Sequence, residues 1–259
     1  MNDPLSFYIQ RDSLLHRLNP LTKLTLVISL ILLAYLAPFY WLPTILFLLV
    51  IIPLSFLGRV WPEFIRATVR LLLPAIGFIF VMQAFFHPGG TTIIFQVWIF
   101  TITTESLSFA YQTATRVLVM ISAFLILLLT THPSQLMSDF TRRGAPSALS
   151  YIVTSSLQIL PEMRLKANTI IDAQRSRGLE TQGSLWRRVR ALLPLVGPLI
   201  FGSLVDVEER AIAIEARAFN TPGPKTSLTD IPDSTSERIL RWLLVLLVVI
   251  SIGSRLWLS

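Results

Sequence analysis

The 259-residue chain is 53% hydrophobic and only 14% charged, where soluble globular proteins carry about a quarter charged residues. That composition excludes an ordinary soluble domain and indicates a polytopic, all-α membrane protein. Cysteine is absent, which excludes a disulfide frame, a thiol nucleophile and Cys-ligated metal, and the net charge of +7 fits basic loops on an anionic leaflet better than nucleic-acid binding.

The opening MNDPLSFYIQRDSLLHRLNP lacks the basic-then-apolar pattern of a cleaved signal peptide. Apolar runs follow at Leu24 to Ala37, Thr44 to Leu57, Leu71 to Phe86, Leu107 to Thr131 and Ile239 to Leu258, giving about five transmembrane helices. The turn Pro38 to Pro43 is aromatic and uncharged, as suits a membrane interface. Pro74 and Gly77 inside the third run predict a kink or a close helix contact. Gly89 to Thr104, rich in β-branched and aromatic residues behind a Gly-Gly turn, fits a short hairpin or a segment lying flat on the membrane.

Lys and Arg set the expected orientation. Arg11, Arg17 and Lys23 lie in the head, and Arg59, Arg66 and Arg70 follow the second run. The loop from His87 to Glu105 has none, and His132 to Arg241 has fourteen. The N-terminus is therefore expected inside the cell, with a membrane domain over residues 1–131, a cytoplasmic or interfacial helical domain over 132–238 and a last span over 239–259. Arg116, inside the fourth run, is expected to snorkel to the outer interface or to pair with Glu105, about three turns earlier.

The cytoplasmic stretch reads as two long amphipathic helices. In the first, Leu157 to Arg177, Leu160, Met163, Ala167 and Ile170 form a stripe, Glu162 and Lys166 are spaced as an i,i+4 pair, and Gly178 is a natural stop. The second, Leu185 to Ala218, starts apolar around Pro194, Gly197 and Pro198 and ends charged and Ala-rich before Thr221-Pro222-Gly223-Pro224. Both helices end on an arginine between small residues: Ser176-Arg177-Gly178 and Ala216-Arg217-Ala218. Small neighbours let a backbone approach another surface, and the guanidinium brings five fixed donors to a socket. Two such tips predict a grip on a soluble partner. For one arginine alone, the simpler account is a helix C-terminal cation favoured by the dipole, about 0.3–1 kcal/mol.

Several strings, in order along the chain, resemble one family. His16-Arg17-Leu18-Asn19-Pro20-Leu21-Thr22-Lys23-Leu24 is similar to the Leu-Asp-Pro-x-Thr-Lys-Leu entry to the first span of energy-coupling factor (ECF) transporter T components, the family that includes the CbiQ-type cobalt transport proteins. Thr130-Thr131-His132-Pro133 and Arg142-Arg143-Gly144-Ala145-Pro146 resemble its passage into the cytoplasmic helices. Ala173-Gln174-Arg175-Ser176-Arg177-Gly178 resembles its first Ala-Arg-Gly signature, and Glu208-Glu209-Arg210-Ala211 with Glu215-Ala216-Arg217-Ala218-Phe219 its second. Asn19 stands for the usual Asp, Ser176 for Ala and Ala218 for Gly. Because alanine reaches positive φ less freely than glycine, the second tip is expected to be shaped differently.

The resemblance implies a non-catalytic subunit of an ATP-driven importer of a vitamin or transition metal in a prokaryotic plasma membrane. Its implied partners are two ABC-type ATPases, which would hold ATP and Mg²⁺, and a membrane S component. Residues 176–178 and 216–218 would couple to the ATPases, with Arg175, Glu209 and Arg210 as supporting residues and Leu160, Met163 and Ala167 as S-component contacts. No cofactor is expected on this chain. His16, His87 and His132 are far apart without HxxxH or HExxH spacing, so no metal site is expected, and no GxxxxGK[ST] string is present for ATP hydrolysis. An embedded enzyme would need paired ionisable groups in the spans, which the sequence lacks. The remaining alternatives are an ordinary ABC permease-like subunit, which usually offers one coupling loop, and a membrane scaffold outside the ECF class.

Overall fold

In the computed structural model, residues 8, 11–36, 39–86, 92–97, 100–178, 185–219, 221, 223 and 233–258 are described. Among them the helices are α1 (Leu14–Arg17), α2 (Pro20–Leu36), α3 (Leu42–Leu57), α4 (Trp61–Phe86), α5 (Thr104–Thr130), α6 (Pro133–Arg142), α7 (Ser147–Ser176), α8 (Leu185–Ala216) and α9 (Thr235–Leu258). Strands β1 (Ile93–Val97) and β2 (Phe100–Thr103) precede α5. The chain divides into two compact units, one of Met1–Phe140 with Asp230–Ser259 and the other of Thr141–Thr229. The predicted boundary at residue 131 thus lies one short helix, α6, earlier than this division, and α9 groups with the first unit.

In the first unit α4, α5 and α9 are long and apolar enough to cross a membrane, and α2 and α3 are shorter apolar helices. Cross-links between helices fix their sense. Lys23 of α2 meets Thr130 of α5, and Ala84 of α4 meets Ser106 of α5, so both pairs are antiparallel. Thr22 and Tyr35 of α2 meet Glu237 and Arg255 of α9, so that pair is parallel. The core joins Val27, Leu30 and Ala34 of α2, Ile51 of α3, Phe64 of α4, and Val119, Ala123 and Ile126 of α5. Small residues line it at Ala34 and Ala123, which lets the helix backbones come close without a hydrophobic driving force from lipid.

Two helices contain a widened π turn, Phe47–Ile51 in α3 and Thr68–Leu72 in α4. Each ends two residues before a proline, Pro53 and Pro74. Proline has no N–H and clashes with the carbonyl four residues back; a wider turn just ahead of it absorbs that conflict while the helix continues. The expected disturbance at Pro74 is therefore present as a π turn rather than a break. The loop expected around Arg66 and Arg70 is the first part of α4, where both side chains are exposed.

Expected hairpin residues form an antiparallel pair, with Ile93 opposite Thr103. Its Gly89-Gly90 turn and His87 lie outside the described residues, as do Pro222, Pro224 and Lys225. Thr103 and Ser106 cap α5 reciprocally, and the Ser106 hydroxyl also donates to the Ala84 carbonyl at 3.0 Å, tying α4 to α5 at the hairpin end.

At the opposite, basic end, the Asn-Pro-Leu-Thr-Lys string forms a polar clasp. The Asn19 side-chain oxygen accepts from the Leu21 amide at 2.9 Å and starts α2. The Asn19 amide and the Thr22 hydroxyl both donate to the Glu237 carboxylate, at 2.8 and 3.0 Å. Arg241 donates to Thr22 at 2.9 Å and to both Asp233 oxygens at 2.9 and 3.0 Å. The buried Lys23 ammonium donates to the carbonyls of Thr130 at 2.9 Å and His16 at 3.2 Å. With Glu237 already at the start of α2, the neutral Asn19 places no second carboxylate there.

The expected Arg116–Glu105 pair does not form. The Glu105 carboxylate accepts from Thr92 and Thr104, and the Arg116 guanidinium lies 5.8 Å from the centre of the Tyr35 ring. Eleven residues of helix put about 16 Å between the two backbone positions, too far for either side chain to close while Glu105 is held by Thr92 and Thr104.

Candidate functional site

The second unit holds both arginine tips. α7 begins at Ser147, ten residues before the predicted start, and continues through Pro161 to Ser176. α8 matches its predicted start and ends at Ala216, two residues short of the predicted end. The two helices are antiparallel. Tyr151 stacks obliquely on Phe219 with ring centres 5.5 Å apart, Glu162 pairs with Arg210, and Lys166 pairs with Asp206.

The expected i,i+4 pairing of Glu162 with Lys166 is replaced by these bonds across the helix pair. The reason is visible in the spacing. Glu162 and Lys166 place an acid four residues before a base, and so do Asp206 and Arg210; antiparallel alignment then brings opposite charges together twice. That matched spacing is the signal in the sequence that would have revealed the pairing. The bonds are largely exposed, and each contributes at most about 1 kcal/mol, so they set register more than stability.

Constant register puts the Arg177 end of α7 beside the Leu195 region of α8, while Arg217 lies beside the start of α7. At 1.5 Å per residue, the two tips are about 33 Å apart, at opposite ends of the helix pair. Both arginines are exposed, and among the described residues neither guanidinium has a hydrogen bond or ion pair.

The tips share one backbone geometry. Gly178 follows Arg177 with φ of +89°, and its amide donates to the Arg175 carbonyl at 2.9 Å. Ala218 follows Arg217 with φ of +53°; its amide donates to the Glu215 carbonyl at 2.9 Å, and the Phe219 amide donates to the Ile214 carbonyl at 3.2 Å. The last two bonds make a complete Schellman cap. Ala218 thus adopts the glycine-like conformation despite its methyl group, and the expected difference in shape is absent at the backbone. Its cost, about 1–2 kcal/mol for an L-residue in left-handed geometry, is offset by the two capping bonds and the Phe219–Tyr151 contact.

The neighbouring residues separate into engaged and open groups. Arg175 pairs with Asp172 at 3.5 Å, and the Ser176 hydroxyl folds back to the Asp172 carbonyl at 3.1 Å. Arg210 is half-buried and holds Glu162, while Glu209 is exposed. Ala216 is exposed beside Arg217. Leu160 is exposed, and Met163 and Ala167 are half-buried. At 100° per residue these three lie about 80–140° around α7 from the Glu162 and Lys166 edge that meets α8. Tyr151 and Phe219, which anchor the second tip, carried no role in the sequence reading; the aromatic residue just past a helix stop was the available cue. Among the described residues no group of three or more His, Asp or Glu side chains could hold a metal ion.

The family model described as cobalt transport protein, CbiQ, matches residues 11–228, which include the clasp string, both helices and both tips. The chain belongs to the ECF transporter T-component family. Among its relatives are proteins named energy-coupling factor transporter transmembrane protein EcfT. Those of Bacillus selenitireducens and Thermotoga maritima are each 31% identical, covering 82% of both chains and 86% and 83% of the respective chains. The relative from Lactococcus lactis is 26% identical across 96% of both chains. The match spans the ordered strings that suggested the family, so the chain is a membrane subunit of the transporter class.

Proposed function

We propose that this T component transmits ATP-driven motion from two ABC-type ATPases to a membrane S component that carries a vitamin or transition metal. Each ATPase grips one arginine tip, through Ser176-Arg177-Gly178 and Ala216-Arg217-Ala218. ATP and Mg²⁺ reside on those partners, and this chain is non-catalytic and holds no cofactor. Leu160, Met163 and Ala167 offer an adaptable apolar contact to the S component, while Arg175, Glu209 and Arg210 support the grip. The chain sits in the prokaryotic plasma membrane with its N-terminus in the cytoplasm, as the Lys and Arg distribution favours.

One observation carries the reading: two unengaged arginines, each fixed by the same left-handed cap, stand at opposite ends of one antiparallel helix pair. Two separated grips on one lever suit two copies of an ATPase whose closure moves their surfaces relative to each other. A grip formed by an arginine fork in a partly desolvated socket is worth about 2–5 kcal/mol when one partner is truncated.

The test is a tagged pull-down in detergent of wild type, Arg177→Ala, Arg217→Ala and the double variant. Each single variant is expected to weaken ATPase retention at least tenfold, and the double variant to abolish it with the protein still inserted and monodisperse. Full retention by the double variant would sink the coupling role of the tips.

A further inference from the structure

We infer that Arg116 of α5 and Arg255 of α9, converging on Tyr35 of α2, form a binding site for the phosphate of an anionic phospholipid in the leaflet at the hairpin end. The Arg116 guanidinium stacks over the Tyr35 ring at 5.8 Å, and Arg255 donates to the Tyr35 carbonyl at 3.3 Å. The Arg116 Nε is buried and has no hydrogen-bond partner. Arg255 is exposed, as is one edge of Tyr35. Two cations thus share one tyrosine, with no ion pair to either among the described residues.

The segments that carry them are almost without acidic side chains. Residues 13–62 and 238–259 contain no Asp or Glu, and residues 64–138 contain only Glu105. Glu105 is occupied by Thr92 and Thr104. A guanidinium at membrane depth needs a counter-charge, because the hydrocarbon cannot solvate it. Arg241, in the clasp at the basic end, has one in Asp233; among the described residues Arg116 and Arg255 make no ion pair.

Depth identifies the counter-charge. Tyr35 is one residue from the end of α2, and the exposed Tyr40 and Trp41 lie just before α3. Exposed Tyr and Trp collect at the interface between hydrocarbon and headgroups. Arg116 and Arg255 therefore lie at or just below the level where phospholipids place their phosphates, within reach of snorkelling side chains. Phosphate oxygens match the guanidinium fork. With two cations and no acidic side chain paired to them among the described residues, a headgroup with net negative charge is favoured over a zwitterionic one, whose ammonium would be repelled.

The test titrates the purified full chain in detergent with phosphatidylglycerol and, separately, phosphatidylcholine, reading bound lipid by native mass spectrometry. Wild type is expected to prefer phosphatidylglycerol. Arg255→Gln, at an exposed position that does not endanger folding, should weaken it about fivefold, and Arg116→Gln/Arg255→Gln about 25-fold. Arg116→Lys/Arg255→Lys should keep most of the preference, which separates loss of charge from loss of fold. Arg66→Gln, an exposed arginine on α4, should leave binding unchanged. The proposal is overturned if wild type shows no lipid preference, if Arg66→Gln weakens binding as much as Arg255→Gln, or if soluble glycerol phosphate displaces the lipid at equal concentration.

Discussion

The two units of this protein are held by different kinds of polar contact. In the first, the clasp joins α2, α5 and α9 through buried or half-buried groups: Lys23 on the Thr130 carbonyl, and Glu237 on the Asn19 amide and the Thr22 hydroxyl. In the second, α7 and α8 meet through exposed ion pairs and one aromatic contact. Buried polar groups are costly to leave unpaired, so the clasp fixes one arrangement of the membrane helices. Exposed ion pairs exchange readily with water, so the helix pair keeps its register at low cost.

The comparison breaks most directly at Glu237. Glu237→Leu strands the Asn19 amide and the Thr22 hydroxyl and removes the carboxylate nearest Lys23; the expected loss is about 2–3 kcal/mol, read as a lower midpoint of thermal unfolding followed by tryptophan fluorescence in detergent. A loss below 0.5 kcal/mol, on the order of a surface change, would mean that the clasp is not a structural centre. Phe219→Ala should cost about 1–1.5 kcal/mol, confined to the second unit and seen as faster amide exchange over residues 213–219 with the spans unaffected.

The two tips offer a sharper internal contrast. Gly178→Ala should destabilise the α7 terminus by about 1 kcal/mol, and Ala218→Gly should stabilise the α8 terminus by a similar amount. Amide exchange in the last turn of each helix would report opposite signs. Equal signs would contradict the shared left-handed geometry. The smallest effect belongs to the cross-helix ion pairs. Lys166→Asp should cost about 0.5 kcal/mol, and adding Asp206→Lys should recover most of it; a double-mutant cycle with no coupling would show that the pair does not set register.

Much of this architecture was legible from the chain. Apolar runs located the three helices long enough to cross a membrane and the two shorter apolar ones, the Gly-Gly and β-branched segment suggested the hairpin, and the paired small-Arg-small strings marked both helix ends. Features that depend on partners distant in sequence were hidden. Glu162 and Lys166 look like a local pair because periodicity along one helix says nothing of the helix beside it. Likewise Glu105 and Arg116 both fall on α5, whereas the carboxylate is held by Thr92, just before β1, and by its own neighbour Thr104. Helix boundaries near proline misled as well: Pro161 lies within α7, and Leu157 looked like the start because the Ser- and β-branched stretch before it has weak helical periodicity.

The π turns of α3 and α4 have a consequence for how the membrane helices tolerate change in length. A π turn contains one residue more than the α turn it replaces. Losing a residue inside Phe47–Ile51 or Thr68–Leu72 therefore returns a regular helix whose later side chains still face as before. The same loss earlier in either helix rotates everything beyond it by about 100° and carries the buried Ile51 of α3 or Leu72 of α4 out of the interior. Each proline-bearing span thus contains one short window in which its length is adjustable without re-aiming its buried face.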